Sequence, residues 1–574
     1  MLLAALSANA HPYASAVTNS SGTVQFILNE NADSVTVTFD SGSETVTLGS
    51  LPKGLNSFSL GAHTNYAISV YKTGSGSFTQ ISDDSSNSLQ FIAPRGVGVN
   101  INPQRPAFGR IYAVSAWPSG IVAVNGATNA TGNGRLVGRG IYAINQDGSD
   151  ALGQGTNALV GNMWFGTSVR YSPYRVFVGS DDSVYVADLS GSYTASLGTA
   201  GLSYSPVGGG VWQASPDFTS TTNLFDTNDI GSVYDGVFGF YVTGSLAAGN
   251  LVVYADEWSL TGNTLGGAFL TPPAIWQYNY NSVSNPIPIA NDPVGLMTVG
   301  LGINGVLGDM TVHAPTGYIY AQQDRTAAAG DATGTGEANN NNAELYVYDT
   351  TGTNNIWESG IGGADIFDAT YGIAISPDGA WLACATGFGT TLITHITNGI
   401  PDLRTTVTNN EEVGPVNTAN LVASRRGVVM DAADNVIASL PTVNLSLGYE
   451  FPTASQPSVV REYSLGYSSL AVTSNDGTST NGSFNFTLLP TPPKITGIVS
   501  GAGVVTLTWS TLSEGTAEPD TTESFAVLGS PSLNGEFDYI DGATITQPGG
   551  PGTPFQASVP VGTGPTMFYI IARL

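Results

Sequence analysis

Carboxylates are the one functional group in good supply in this 574-residue chain, with 43 Asp and Glu against 16 Lys and Arg and 4 His. Three of them, Asp226, Asp229 and Asp235, fall in the stretch Asp226-Thr-Asn-Asp-Ile-Gly-Ser-Val-Tyr-Asp-Gly. An oxygen-rich loop of that kind suits a hard cation, so calcium is the cofactor the sequence leaves room for. The competing reading is a solvated turn, because Asp also serves turns by bonding its own backbone. Asn145-Gln-Asp-Gly-Ser-Asp opens like a calcium loop but has no Glu at the twelfth position, and reads as a hairpin turn.

Other chemistries lack their residues. The histidines, His11, His63, His313 and His395, form no H-E-x-x-H pair for zinc hydrolysis, and no G-x-S-x-G elbow presents a nucleophilic serine. His313 and His395 sit in strand-like runs and read as satisfied sheet histidines. The single cysteine, Cys384, excludes an internal disulfide and a Cys-based zinc site, and its setting in Trp381-Leu-Ala-Cys-Ala is that of a small core hydrophobe. A net charge of −27, with Arg425 and Arg426 the nearest thing to a basic cluster, excludes a nucleic-acid partner and disfavours anionic membrane surfaces. No catalytic constellation is recognisable, so the expectation is a non-enzymatic protein.

The elements that must position these residues are strands. Seventy-two Gly and 31 Pro without collagen periodicity, together with abundant Ser, Thr and Asn, point to short strands joined by tight turns. Period-two or fully apolar runs of about five to seven residues recur, and no window carries helical apolar spacing. The expected fold class is all-β. Val24, Phe26 and Leu28, then Val35, Val37 and Phe39, alternate as the buried faces of a hairpin within a small sandwich over 22–88. A looser repeat fills 89–490. Its phrases include Ala93-Pro-Arg-Gly-Val-Gly-Val, Ser168-Val-Arg-Tyr-Ser-Pro with Ser183-Val-Tyr-Val-Ala-Asp, Met310-Thr-Val-His-Ala-Pro-Thr-Gly-Tyr-Ile-Tyr-Ala, Tyr371-Gly-Ile-Ala-Ile-Ser-Pro-Asp-Gly-Ala-Trp-Leu-Ala-Cys-Ala and Arg426-Gly-Val-Val-Met-Asp. Each reads as a strand, a polar turn and a second strand. Pro490-Thr-Pro-Pro-Lys reads as a linker. Beyond it, over 491–574, Val504-Val-Thr-Leu-Thr-Trp-Ser and Met567-Phe-Tyr-Ile-Ile-Ala-Arg read as strands of a second sandwich.

The repeated phrases resemble the blades of NHL-type and YVTN-type β-propellers, with an apolar strand, a Pro-Asp-Gly-like turn and an Ile-Tyr-Val strand. The resemblance implies a β-propeller of about seven blades, six to eight fitting the length, flanked by two small β-sandwich domains. The 22–88 unit resembles the immunoglobulin-like domain of flagellar hook-cap and other secreted bacterial proteins. The 491–574 unit resembles a fibronectin type III module.

The N-terminus, residues 1–21, begins Met1-Leu-Leu-Ala-Ala-Leu-Ser-Ala-Asn-Ala and carries A-x-A-like sites ending at Ala10 and Ala16. It reads as the remnant of a secretory signal or as an apolar arm. No later run reaches the length of a membrane span, so the chain is expected to be secreted or at the cell surface. The favoured function is an extracellular structural or adhesion protein that self-assembles into a filament or surface layer, with itself or other surface components as partner. In that reading the arm residues Leu2, Leu3, Leu6 and Val17 engage the next copy. The alternative is a glycan- or protein-binding propeller in which Trp117, Trp212, Trp258 and Trp276 stack on a ligand. A carboxylate-based polysaccharide lyase or hydrolase is the third reading, because a propeller fold hosts many chemistries.

Overall fold

The computed structural model is all-β, built of many small antiparallel sheets. It describes residues 11–573 except for the stretches 116–121, 124–135, 153–172, 188–194, 198–201, 205–209, 227–235, 259–273, 280–293, 299–304, 327–344, 360–369, 410–420, 445–457, 476–483, 511–524, 531–537, 561–567 and a number of shorter ones.

The N-terminal unit is a two-sheet sandwich. One sheet orders Ala14–Ser20, Thr23–Leu28 and Gly54–Ser59. The other runs from Glu44–Leu51 through Ala32–Phe39 and Tyr66–Lys72 to Ser469–Asn475 and Asn485–Pro490. Val24, Phe26 and Leu28 face Val35, Val37 and Phe39 across one core. The alternation is as the sequence suggests, but the pairing differs: the two runs lie in different sheets and do not form a hairpin. Both apolar faces are buried by being placed opposite one another, which side-by-side pairing within one sheet would not achieve. Residues 14–20 belong to this sandwich, and so do the two strands that span 469–490.

Among the described residues six larger sheets follow, with three two-stranded ones between them in the chain, Val122–Ala123 with Leu136–Val137, Ala195–Leu197 with Leu202–Tyr204, and Leu421–Ala423 with Thr442–Asn444. The first contains Pro94–Val99, Ile111–Ser115 and Gly140–Ile144. The next four are four-stranded meanders starting at Arg175–Val178, Gly236–Thr243, Gly305–His313 and Thr370–Ile375. The sixth runs Gly427–Met430, Val436–Leu440, Ser458–Ser464, and is completed by Thr79–Gln80 and Gln90–Phe91 from before the first sheet. The opening strand of each sheet lies beside that of the next, and Gly427–Met430 lies beside Pro94–Val99, so the succession closes on itself. A separate apolar core fills each seam. Tyr112, Val114 and Ile141 meet Val176, Val186 and Trp212 between the first two sheets, and Ile437, Val460 and Phe91 meet Val97 and Tyr142 between the last and the first. Burial on both faces explains why strands of four or five residues read as continuous apolar runs.

The repeated phrases mark hairpins. Met310 pairs with Ala321 and Ile373 with Cys384 across turns held by the Thr316 hydroxyl in the first and by Ser376 and Asp378 in the second. In Ser376-Pro-Asp-Gly, the Ser376 hydroxyl donates to Asp378 and accepts from the Trp381 amide, and Gly379 takes φ +82. A Cβ there would stand 2.7 Å from His313 Nε2, so glycine meets both demands. For Ser183-Val-Tyr-Val the partner strand is Arg175–Val178; residues 168–172 lie outside the described region.

The second sandwich has one sheet of Lys494–Gly501, Val504–Ser510, Phe555–Pro560 and Thr544–Thr546, and another of Asp538–Tyr539, Phe525–Ser530 and Phe568–Arg573. Leu507, Trp509, Phe525 and Phe555 form its core.

The closing contact admits no side chain at Gly427, where a Cβ would lie 2.6 Å from the Arg95 carbonyl oxygen and 3.0 Å from Gly96 Cα. Gly427→Ala is expected to destabilise the protein by about 1–3 kcal/mol through overpacking against backbone. Gly501→Ala, which meets nothing within 4 Å, is expected to stay within about 0.5 kcal/mol of the parent in thermal melts, and equal effects of the two would contradict a tight closure.

Candidate functional site

The opening strands of the six sheets enclose a cavity of about 170 Å³. Its walls are largely aliphatic, with Val97, Val176, Met310, Ile373 and Val428 contributed by five different strands. Among the described residues its charged lining groups are Arg175 and Asp309.

These two are positioned by the strands and hold each other. Arg175 opens its strand, lies over the Tyr174 ring at 4.7 Å and donates from a guanidinium nitrogen to the Arg95 carbonyl at 3.1 Å. Its Nε is 3.4 Å from Asp309 Oδ2, with both side chains buried. Asp309 also accepts the Met310 amide at 2.9 Å and the Ile373 amide at 3.3 Å, tying its own strand to the opening strand of the next sheet. Burial pushes the Asp309 carboxyl up to about 6, against the opposing pull of Arg175 and the two amides. The carboxyl faces a guanidinium and two amides, so the pair is internally compensated. Its chemistry is that of a buried structural ion pair: the carboxylate is engaged by three donors in an aliphatic cavity.

His313 fits the reading as a satisfied sheet histidine. His313 is buried; its Nε2 donates to the Gly379 carbonyl at 3.0 Å, which leaves Nδ1 to accept from the Thr316 hydroxyl at 2.7 Å. Burial lowers its pKa, so it is a neutral strut. His395 packs on Trp381 at 3.5 Å and is pushed down to about 4 by burial. Cys384 is a buried thiol in the core between the fourth and fifth sheets.

Asp226 ends the strand Thr221–Asp226, paired with Gly210, while Asp229 and Asp235 lie outside the described residues. Among the described residues no group of three or more His, Cys, Asp or Glu is placed to hold a metal ion. Residues 145–149 form a turn, in which Asp147 accepts from the amide and hydroxyl of Ser149. Leu2, Leu3 and Leu6 lie outside the described residues. Val17 does not belong to an arm that reaches another copy: it is buried in the strand Ala14–Ser20 of the chain's own sandwich. Trp212 is not available for stacking on a ligand, since at 1% exposure it fills the seam between the first two sheets. Large aromatics gain most from such burial. Trp117 lies outside the described residues, as do the side chains of Trp258 and Trp276, whose backbones run in adjacent strands. Sequence reasoning passed over Arg175 and Asp309. The available signal was a lone charge within an apolar strand run.

Among the described residues no helix is long and apolar enough to cross a membrane. No family model and no curated protein matches the chain. Among solved structures it is similar to a structural-genomics protein of unknown function from Bacteroides thetaiotaomicron, at 11% identity, 79% coverage of this chain, 98% of that one, and a TM-score of 0.35.

Removing one member of the Arg175–Asp309 pair strands the other. Asp309→Ala is expected to cost about 3–5 kcal/mol, read as a lowered denaturation midpoint. The double variant Arg175→Met with Asp309→Leu should recover much of that loss, and no recovery would mean that the pair is not an isolated, self-compensating unit.

Proposed function

We propose that this chain is a secreted, non-enzymatic structural or adhesion protein in which a six-bladed β-propeller carries two β-sandwich modules, and that copies associate edge to edge through the sandwiches. The propeller reading is supported by the six sheets whose opening strands neighbour one another in a closed succession and whose last sheet is completed by strands from before the first. A shared last sheet joins the two ends of such a ring without a free edge.

The observation that carries the assembly reading is the strand Lys494–Gly501. It ends its sheet, and Ile498 and Val499 are 64% and 67% exposed. It has no proline, and its one charge is Lys494 at its first position. Proteins usually blunt such edges with charge, proline or bulges, because unpaired N–H and C=O groups recruit another strand. The bulge between Ile495 and Gly497 leaves the exposed half unprotected.

The occupant is a second copy of the same chain. The N-terminal sandwich ends one sheet in Glu44–Leu51, also of eight residues, with Glu44–Thr47 exposed and Val46 at 37%. Its one charged residue is Glu44. Laid parallel, the two edges bring Glu44 beside Lys494 and Leu48 beside Ile498. Because the two edges differ, the contact is head-to-tail and propagates into a filament unless its rotation closes a ring.

Electron microscopy and sedimentation of the purified chain test this. The parent is expected to form ordered polymers, while Val499→Lys and Val46→Lys each disperse them with a melting profile within about 0.5 kcal/mol of the parent, as befits exposed positions. Uniform monomers of the parent, or polymers that survive both substitutions, would sink the reading.

A further inference from the structure

Where the N-terminal sandwich meets the first and sixth sheets, the chain buries a dense set of ionisable groups. His11 and Tyr13 thread the seam. The His11 amide donates to Asn435 at 3.1 Å, its carbonyl accepts from Asn29 and Asn435, and the Tyr13 amide donates to Asn29 at 3.1 Å. The sandwich contributes Glu30, Lys53 and Lys72; the turn of the first sheet contributes Gln146 and Asp147; the sixth sheet contributes Asp431, Arg461 and Glu462, with Asp84 from the segment that completes it.

The charges do not cancel. Lys72 pairs with Glu30 at 3.4 Å, Arg461 pairs with Asp84, and Lys53 stands 3.9 Å from Glu462. Asp431 and Asp147 remain in excess. Asp431 is buried but saturated as a carboxylate, accepting the Ala433 and Asn435 amides at 2.8 and 2.9 Å and the side chains of Asn435 and Gln146 at 2.9 and 3.2 Å. Asp147 is half-buried and caps its own turn. Glu462 is different. It is 2% exposed, and among the described residues its Oε1 has no hydrogen-bond partner and its paired cation, Lys53, stands at salt-bridge distance only. Gln146 Oε1 and the Tyr13 hydroxyl, also fully buried, likewise lack hydrogen bonds of normal geometry.

We propose that this seam is a proton-operated latch, in which the carboxyl of Glu462 is protonated while the N-terminal sandwich is seated and loses its proton when the seam loosens. A neutral acid can sit among Asp431, Asp147, Glu30 and Tyr13 with one lysine beside it, whereas a second buried, unsaturated anion there is repelled and poorly solvated. Burial, reinforced by Asp431, Asp147 and Glu30 and opposed by Lys53, pushes Glu462 up to about 8. Because the seated state then binds more protons than the open one, stability is greatest below the ordinary glutamate range. It falls as pH rises from there to about 8, and this contribution is constant above that point. The latch is independent of whether copies polymerise.

Hydrogen exchange of the His11 and Tyr13 amides, corrected for the intrinsic base dependence of exchange, measures the opening in the full chain. Protection is expected to fall about tenfold per pH unit between about pH 6 and 8 and then level off. Glu462→Gln should abolish that slope, and a parent without a slope, or a variant that keeps it, overturns the latch. Should Glu462→Gln fail to fold, infrared spectroscopy of the parent labelled at glutamate carboxyls decides the matter. A protonated carboxyl band at about pH 7 that bleaches near pH 8 supports the proposal, and a fully ionised set at about pH 7 refutes it.

Discussion

The architecture depends on one long-range contact, the packing of Gly427–Met430 against Pro94–Val99. Residues more than three hundred apart in sequence meet there, with the Ser439 hydroxyl donating to the Arg95 carbonyl at 2.8 Å and Gly427 pressed onto that same carbonyl. Without it the first and sixth sheets would each expose an apolar face now covered by Ile437, Val460, Phe91 and Tyr142. Thr79–Gln80 and Gln90–Phe91 reinforce the contact by adding chain from before the first strand to the outside of the last sheet. The entropic cost of joining such distant segments grows only slowly with their separation, so one well-packed seam can offset it.

The same closure decides where charge can be buried. Arg175, at the start of its strand, also donates to the Arg95 carbonyl, so that single oxygen links the closing seam to the ion pair with Asp309. Asp309 in turn accepts the Ile373 amide from the following sheet. The two charges therefore connect four of the six opening strands, through their own ion pair and a hydrogen bond from each to a neighbouring strand. Such a pair contributes little net stability against an apolar substitute, but it penalises any arrangement that separates its members, and so helps fix the order of the strands around the cavity.

Much of this organisation is written in local sequence, and the rest is not. The hairpins around Met310–Ala321 and Ile373–Cys384 are legible because an apolar strand, a Pro and Gly turn and a second strand all lie within about a dozen residues. The buried faces of Val24–Leu28 and Val35–Phe39 are legible for the same reason, yet their division between two sheets is not. Alternation reports which face is buried and says nothing about what buries it. Membership of Ser469–Asn475 in the N-terminal sandwich is beyond local reading, since its partner Tyr66–Lys72 lies some four hundred residues earlier. Trp212 shows the limit for the site: a tryptophan in a β run is equally compatible with ligand stacking and with a seam, and only the neighbouring sheet, with Tyr112 and Ile141, decides for the seam.

The placement of acid in this chain separates surface from seam. Among the described residues most carboxylates are at least partly exposed, where the excess of acid over base costs little and opposes indiscriminate association. Against that background an edge such as Lys494–Gly501, with a single charge over eight residues, is a local departure. General repulsion between acidic copies is long-range and screened by salt, whereas strand pairing is short-range and directional. The combination selects for contacts that align two backbones and against contacts that merely bring surfaces together. It links the acidity read from composition to the proposed edge-to-edge association, which would become more favourable as ionic strength rises.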